Sequence, residues 1–286
     1  MNKVSILSIT LLASITLVTP NVYAEEGGFF DWLMNLFGGF EEKEDATQIE
    51  TEEETTNKIR KAVIIDQLYQ DFPNESFQQN ATKLLTDGGY EVDLFTTADI
   101  TIDFYKELPT MDYEFIVLRS HSLAIYGKKP SSWIFTGEKY EAGRYTQEQL
   151  SGMLSPGVPF RQGQISQMTQ GDAKSERLFM IGSKMIDEMM EGQFAGTQII
   201  LGGCDTMSNA YLAEAFVKRG ASSVVGWNGL VELRDNDAVM LSLLDDIFNE
   251  NLEMGDAVEK VMNDYKGKTY YGTKLKYFSS GASGPI

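Results

Sequence analysis

The stretch Thr197-Gln-Ile-Ile-Leu-Gly-Gly-Cys-Asp-Thr-Met-Ser-Asn209 contains the features that decide the fold of this chain. Its apolar run predicts a buried strand, its glycine pair predicts a tight turn, and the polar residues that follow predict the cap of a helix. The turn carries Cys204, the only cysteine of the chain. A strand that leads through a short turn into a helix is typical of α/β domains.

The only histidine occupies a similar position at the end of a second apolar run, Phe115-Ile-Val-Leu-Arg-Ser-His121-Ser122. A thiol is a weak nucleophile until it ionises, and a nearby imidazole can take its proton and deliver it to a leaving amine. Taken singly, a lone cysteine or histidine is more often structural than catalytic. Their joint position at two predicted strand ends favours the hypothesis that Cys204 and His121 form a catalytic pair.

Strands and helices alternate along the chain on both sides of this stretch. The apolar runs predict strands at 61–66, 90–95, 113–119, 198–201, 222–227 and 274–278. Helical patterns cover 75–87, 102–108, 208–219, 235–249 and 257–265, and residues 178–190 are interpreted as a strand that runs into a helix. Residues 124–177 are predicted to be irregular, apart from one helix at 147–154. The alternation predicts an α/β domain with a mainly parallel sheet.

In sheets of this kind the ligand site lies at the carboxyl ends of the strands. Asp66, His121, Cys204 and Trp227 each lie at or just past the end of a predicted strand. If these strands are adjacent and parallel, the four residues lie on one rim of the sheet. The helix predicted after Cys204 would add backbone donors and a positive dipole end, which favour a thiolate and a developing oxyanion.

The N-terminal residues predict export. Lys3 precedes an apolar run at 4–18 and small residues follow, so residues 1–24 are expected to be a signal peptide that is cleaved after Ala24. An uncleaved anchor is the alternative, although the run is short for a membrane span. The mature protein is therefore expected outside the cytoplasm, either secreted or at the cell surface.

Between the signal peptide and the α/β domain, which is predicted at 59–286, lie two segments within residues 25–58. The first, from Phe29 to Phe40, is rich in aromatic side chains. It could dock on the domain, rest on a membrane surface or bind a partner. The second is an acidic, Thr-rich stretch that predicts a flexible linker.

Composition excludes several function classes. The net charge is −18 and no run of Lys or Arg offsets it, so nucleic acid is not expected as a partner. The chain has neither a G-x-S-x-G elbow nor a Walker A loop. One cysteine and one histidine cannot form a typical zinc site, so we expect neither a metal nor a cofactor.

The two strand ends resemble segments of the caspase-like (clan CD) cysteine peptidases. Residues 115–122 are similar to the hydrophobic strand and histidine of that family, and Ile199-Ile-Leu-Gly-Gly-Cys204-Asp is similar to its strand and cysteine. Residues 212–227 resemble CHAT, gingipain and clostripain domains, in which a helix ending in Gly-Ala precedes a strand of the Val-Val-Gly type. The resemblance covers residues 61–278.

The resemblance implies a caspase-hemoglobinase fold, a three-layer α/β/α sandwich, and an exported cysteine endopeptidase that hydrolyses protein or peptide substrates. It makes Cys204 the nucleophile and His121 the general acid and base. It also makes the backbone amides of Cys204 and Ser122 the oxyanion donors. The family usually has glycine where this chain has Ser122.

The resemblance also implies that the residue binding the P1 side chain sets specificity, and an acidic pocket would select Arg or Lys. Asp66 is the first candidate, Asp205 and Asp235 are alternatives, and Trp227 would form a wall of the pocket. Carboxylates at such positions also serve as helix caps, and a tryptophan is as often a core residue. A hypothesis from a different class is a catalytically inactive caspase-like module that binds a partner protein through its long loop and residues 29–40.

Overall fold

The computed structural model describes residues 58–128, 130–159 and 176–281. The chain divides into two units, Met1–Thr55 and Thr56–Ile286, and every described element belongs to the second unit. The predicted signal peptide, aromatic segment and acidic linker lie outside the described residues, except for Lys58. In the described part of the chain, no helix has the length and apolar character needed to cross a membrane.

The described residues form ten strands and seven α-helices. The strands are β1 (Lys61–Asp66), β2 (Glu91–Thr96), β3 (Phe115–Arg119), β4 (Ser122–Ile125), β5 (Ser131–Lys139), β6 (Leu154–Gly157), β7 (Leu178–Gly182), β8 (Gln198–Gly202), β9 (Ser223–Trp227) and β10 (Leu275–Ser279). The helices are α1 (Glu75–Asp87), α2 (Ile102–Glu107), α3 (Thr146–Leu150), α4 (Ser183–Glu188), α5 (Tyr211–Lys218), α6 (Leu233–Phe248) and α7 (Met254–Asp264).

Six strands form the main sheet in the order β10-β9-β8-β3-β1-β2. All neighbouring strands are parallel except β10, which runs antiparallel to β9. The inner strands β3, β8 and β9 are almost entirely buried, as expected for parallel strands covered on both faces. The predicted α/β domain with a mainly parallel sheet is confirmed.

Helices cover both faces of this sheet. On β1, Val63 and Ile65 belong to one apolar cluster, which includes residues of α2, α4 and α5. Ala62 and Ile64 belong to a second cluster, which includes residues of α1, α6 and α7. Because successive side chains of a strand point to opposite faces, the two clusters lie on opposite sides of the sheet. The architecture is compatible with an α/β sandwich.

Helix α1 illustrates how the local sequence sets these elements. Asn74 accepts a hydrogen bond from the Phe77 amide at 3.0 Å and so caps the first turn. Phe77, Ala81 and Leu85 recur at helical spacing and are all buried against the sheet. The helix ends at a glycine pair, where Gly89 has a φ of 85° that disfavours other residues.

The region 124–177, which was predicted to be irregular, contains most of a second sheet, so that prediction is wrong. This sheet is antiparallel in the order β4-β5-β7-β6. Most of β5 is buried without alternation, and β6 contains a proline and a glycine, so neither strand has a recognisable period. The helix predicted at 147–154 ends at Leu150, and Leu154 begins β6.

Candidate active site

The strands that carry the predicted site residues end at the same level of the main sheet. Asp66 pairs with Arg119, Arg119 pairs with Gly202, and Leu201 pairs with Gly226. The order of these strands is β1, β3, β8 and β9, so the ends of β3 and β8 are neighbours. The structure therefore brings Asp66, His121, Cys204 and Trp227 to one rim.

The segments that follow β3 and β8 are in direct contact. The Ser120 amide donates to the Gly202 carbonyl at 3.0 Å, and the Ser122 hydroxyl donates to the Cys204 carbonyl at 2.6 Å. A Cβ atom on Gly203 would overlap the Ser122 hydroxyl and the Ser120 carbonyl. Glycine is therefore required at 203 for the histidine segment to approach the cysteine turn.

The Cys204 thiol lies against the backbone of Val231, which follows β9. Its sulfur is 3.5 Å from both the carbonyl oxygen and the amide nitrogen of that residue. Burial raises the pKa of the Cys204 thiol, and the nearby Asp205 carboxylate acts in the same direction, whereas the Val231 amide lowers it. The thiol at rest is therefore neutral and needs a base before it can attack.

The helix after Cys204 begins later than predicted, at Tyr211 instead of residue 208. Asp205 adopts a left-handed φ of 60°, its carboxylate accepts the Ser208 hydroxyl at 2.6 Å, and Asn209 accepts the Tyr211 amide at 3.2 Å. These side chains offer the backbone an alternative to helix formation. Cys204 consequently does not lie at a helix N-terminus, and the predicted dipole effect on its thiol is wrong.

The His121 imidazole is held from several sides. The rings of Phe72 and Phe135 contact it edge-on, with centroids 5.7 Å and 5.9 Å away. Its Nε2 atom is 3.8 Å from Asp71 Oδ2. The backbone amide of the same residue donates to Gln67 Oε1 at 2.9 Å. The β1–α1 connection, residues 67–74, therefore forms much of the surroundings of this imidazole.

Asp71 was not among the predicted site residues, because those were chosen at the ends of predicted strands. Asp71 lies in the connection after β1, among turn residues whose carboxylates are usually solvated. A signal was available, since the connection follows a strand whose carboxyl end lies on the predicted rim.

Cys204 and His121 have separate side-chain partners. Among the residues that the structure describes, no hydrogen bond joins the thiol to the imidazole; the thiol contacts Val231 and the imidazole lies near Asp71. Catalytic hydrogen bonds are often long in the absence of substrate and form in the complex. Direct proton transfer here requires a side-chain rotation or a bridging water molecule.

Asp66 is fully buried, which corrects its assignment to a substrate pocket. Its carboxylate pairs with Arg119 Nη1 at 2.9 Å and accepts from the Gln78 amide group at 2.9 Å. Asp237 binds the same guanidinium through two oxygens, at 2.8 Å and 2.9 Å. The arginine needs these carboxylates because it is itself completely buried at the end of β3. A basic P1 side chain cannot reach Asp66.

Trp227 and Asp205 are also committed to the protein interior. The Trp227 ring is completely buried and its Nε1 donates to Asn236 Oδ1 at 3.0 Å, so it is a core residue and not a pocket wall. Asp205 is 5% exposed, and its Oδ1 atom accepts hydrogen bonds from the hydroxyls of Tyr126 and Ser208. Neither residue presents a free group to a substrate side chain.

No protein-family model and no curated protein matches this chain. Within the described ranges, no group of three or more His, Cys, Asp or Glu side chains has the arrangement of a metal site. The thiol, the imidazole and their neighbours therefore determine which chemistry this rim can perform.

Proposed function

We propose that this chain is an exported, caspase-like cysteine endopeptidase in which Cys204 is the nucleophile and His121 the general acid and base. The observation that carries the proposal is the contact between the segments that bear these two residues, at the carboxyl ends of adjacent parallel strands. Random placement would rarely bring the single thiol and the single imidazole of a chain to neighbouring strand ends at the position where α/β sheets bind ligands.

The reaction follows from the chemistry of these groups. His121 takes the thiol proton, the Cys204 sulfur attacks the peptide carbonyl carbon, and the imidazolium then protonates the leaving amine. A water molecule, deprotonated by the imidazole, hydrolyses the resulting thioester. The oxyanion formed in both steps would be stabilised by the amides of Cys204 and Ser122, whose segments are joined by the Ser122 hydrogen bond.

The same proposal includes a caspase-hemoglobinase fold for the α/β domain. A mainly parallel six-stranded sheet with helices on both faces is compatible with the caspase-hemoglobinase sandwich that the resemblance implies. Asp66, Asp205 and Trp227 are all buried, so among the predicted pocket carboxylates Asp235, which is half-buried and accepts the Tyr270 amide at 2.6 Å, is the one left to select a basic P1 residue.

One observation favours a second candidate, an inactive module of the same fold that binds a partner protein. Burial raises the pKa of the Cys204 thiol, and the thiol interacts with Val231 instead of His121. A buried cysteine with backbone partners is also what a purely structural residue would look like.

Thiol labelling separates the two candidates. The protein and its His121→Ala variant are treated with iodoacetamide and with acyloxymethyl ketone probes between pH 6 and 10, with Cys204→Ala as the blank. If His121 is the base, its loss should slow probe labelling at neutral pH by roughly 10²-fold, the lower bound for general-base assistance. Labelling of the variant should then rise only above the ordinary pKa of a cysteine, because burial raises the pKa of this thiol.

Equal, slow labelling of the protein and the His121→Ala variant would contradict the peptidase proposal and leave the binding module. Phe135→Leu is the matched control, because it changes a ring beside the imidazole without removing the base. It should label within a few-fold of the unchanged protein.

A further inference from the structure

One segment of this acidic protein is basic. Residues 265–281 contain four lysines and no acidic residue, in a chain whose net charge is −18. Lys266, Lys268 and Lys274 are exposed and form no ion pair with any residue that the structure describes. Several exposed lysines elsewhere form ion pairs, as in the pair between Lys218 and Asp187. We name residues 266–274 the lysine loop.

The lysine loop is fastened beside the Cys204 thiol. The Thr273 hydroxyl donates to the Leu230 carbonyl at 2.7 Å. Lys274 and Asn228 exchange two hydrogen bonds, at 2.9 Å and 3.0 Å. The next residue along this segment is Val231, whose backbone contacts the sulfur. One short connection after β9 therefore carries the lysine loop on one side and the thiol on the other.

Exposed apolar side chains accompany these charges. Tyr270 and Tyr271 are 75% and 52% exposed and pack edge-to-face with ring centroids 4.9 Å apart, and Leu230 is 52% exposed. The Asp235 carboxylate contacts the loop, where it accepts the Tyr270 amide at 2.6 Å. That carboxylate thus helps to hold the loop in place. Tyrosine is enriched at surfaces that bind other polypeptides.

We infer that the lysine loop binds an acidic stretch of the substrate polypeptide and so directs cleavage to bonds next to clusters of Asp and Glu. The cleavage step and the choice of a polypeptide over a membrane surface rest on the proposed function, whereas the attraction of the loop for an acidic partner does not. The occupant follows from charge complementarity, because the rest of an acidic surface repels an acidic chain and the loop attracts it. An anionic membrane surface has the same charge, but the position beside the thiol favours a polypeptide.

Binding is tested on the Cys204→Ala protein, which cannot cleave. The probes are two fluorescein-labelled peptides of equal length, one with a run of Glu and one with Gln at the same positions, measured by anisotropy. We expect the Glu peptide to bind about tenfold more tightly at low salt and to lose this advantage at high salt. The triple variant Lys266→Glu, Lys268→Glu and Lys274→Glu should bind both peptides equally.

Two further proteins keep this test conclusive. The matched control Lys83→Glu, Lys184→Glu and Lys218→Glu changes the net charge by the same amount at lysines of α1, α4 and α5, outside the loop, and should keep the preference. The milder triple Lys→Gln variant of the loop replaces the Glu variant if circular dichroism shows that the latter is unfolded. Equal binding of the two peptides, or equal loss in the control, overturns the inference.

The outcomes for the inference and for the proposed function are distinguishable. A Glu preference that depends on the loop, together with no cleavage by the unchanged protein, supports the inference and contradicts the peptidase proposal. Cleavage of the Glu and Gln peptides at equal rates supports the peptidase proposal and contradicts the inference. Sedimentation with phosphatidylserine vesicles that needs the three lysines, without any Glu-peptide preference, overturns the inference in favour of a membrane surface.

Discussion

Two polar clusters share the rim of the main sheet, and they differ in how deeply their groups are buried. The Arg119 cluster, formed with Asp66 and Asp237, is buried and pairs each of its charges at 2.8–2.9 Å. The Cys204 and His121 side chains are partly exposed; the Cys204 sulfur lies 3.5 Å from the Val231 carbonyl oxygen, and His121 Nε2 lies 3.8 Å from Asp71 Oδ2. Position on a rim therefore does not identify a reactive group. Access to solvent does so better, since a reacting group must exchange partners.

The largest expected change in the free energy of unfolding is that of a substitution at Arg119. Arg119→Met leaves two buried carboxylates without their cation and should lower the free energy of unfolding by about 3–5 kcal/mol. Urea unfolding followed by circular dichroism measures this loss.

Arg234→Met is the matched control for Arg119→Met, because Arg234 is highly exposed and its contact with Glu232 is long at 3.9 Å. Its effect should stay within about 1 kcal/mol. An Arg119→Met protein as stable as the control would show that the buried cluster is not what holds the rim. Loss of thiol labelling in a fully folded Arg119→Met protein would instead move that residue into the functional site.

Asp71→Asn tests the partly exposed cluster, which contains Cys204 and His121. If its carboxylate orients the His121 imidazole, Asp71→Asn should lower kcat by roughly 10²-fold, a typical contribution of positioned acid–base groups, while KM stays nearly constant. The pH dependence of kcat should also change, because the charge next to the imidazole is lost. Peptide hydrolysis measured over a range of pH values records both effects.

The control for Asp71→Asn is Asp87→Asn, which removes an exposed carboxylate at the end of α1. Neither variant should alter the free energy of unfolding by more than about 1 kcal/mol. Asp71→Glu, which keeps the charge, should restore part of the rate. An unchanged kcat and pH profile in Asp71→Asn would confine Asp71 to a structural role.

The sequence predicted the main sheet well because its strands are continuous apolar runs, as in β3 and β8, whose ends it located within two residues. Parallel strands then brought Cys204 and His121 together by direction alone. The prediction that Asp66 binds substrate was wrong because this carboxylate is paired inside the protein with residues that are distant in sequence. Asp66 pairs with Arg119 at the end of β3, and Asp237 on α6, far away in sequence, binds the same guanidinium, so only the folded chain brings both carboxylates to Arg119. Strands β5 and β6 of the second sheet were missed because neither has a recognisable period, whereas β7 was predicted as the strand that begins residues 178–190.

The smallest predicted effect concerns Ser122, the residue at which this chain departs from the caspase-like pattern. Its hydroxyl joins the two segments of the site through the Cys204 carbonyl, so Ser122→Ala should cost about 0.5–1.5 kcal/mol of unfolding free energy. Ser122→Gly should cost slightly more, because glycine also loses more backbone entropy on folding. Unfolding curves of the two variants, compared with Ser151→Ala on the surface, measure these differences. If Ser122 holds the oxyanion donors in place, both variants should also hydrolyse peptides more slowly. A faster Ser122→Gly protein would mean that the serine obstructs the oxyanion site, and that the contact between the two segments limits the reaction instead of supporting it.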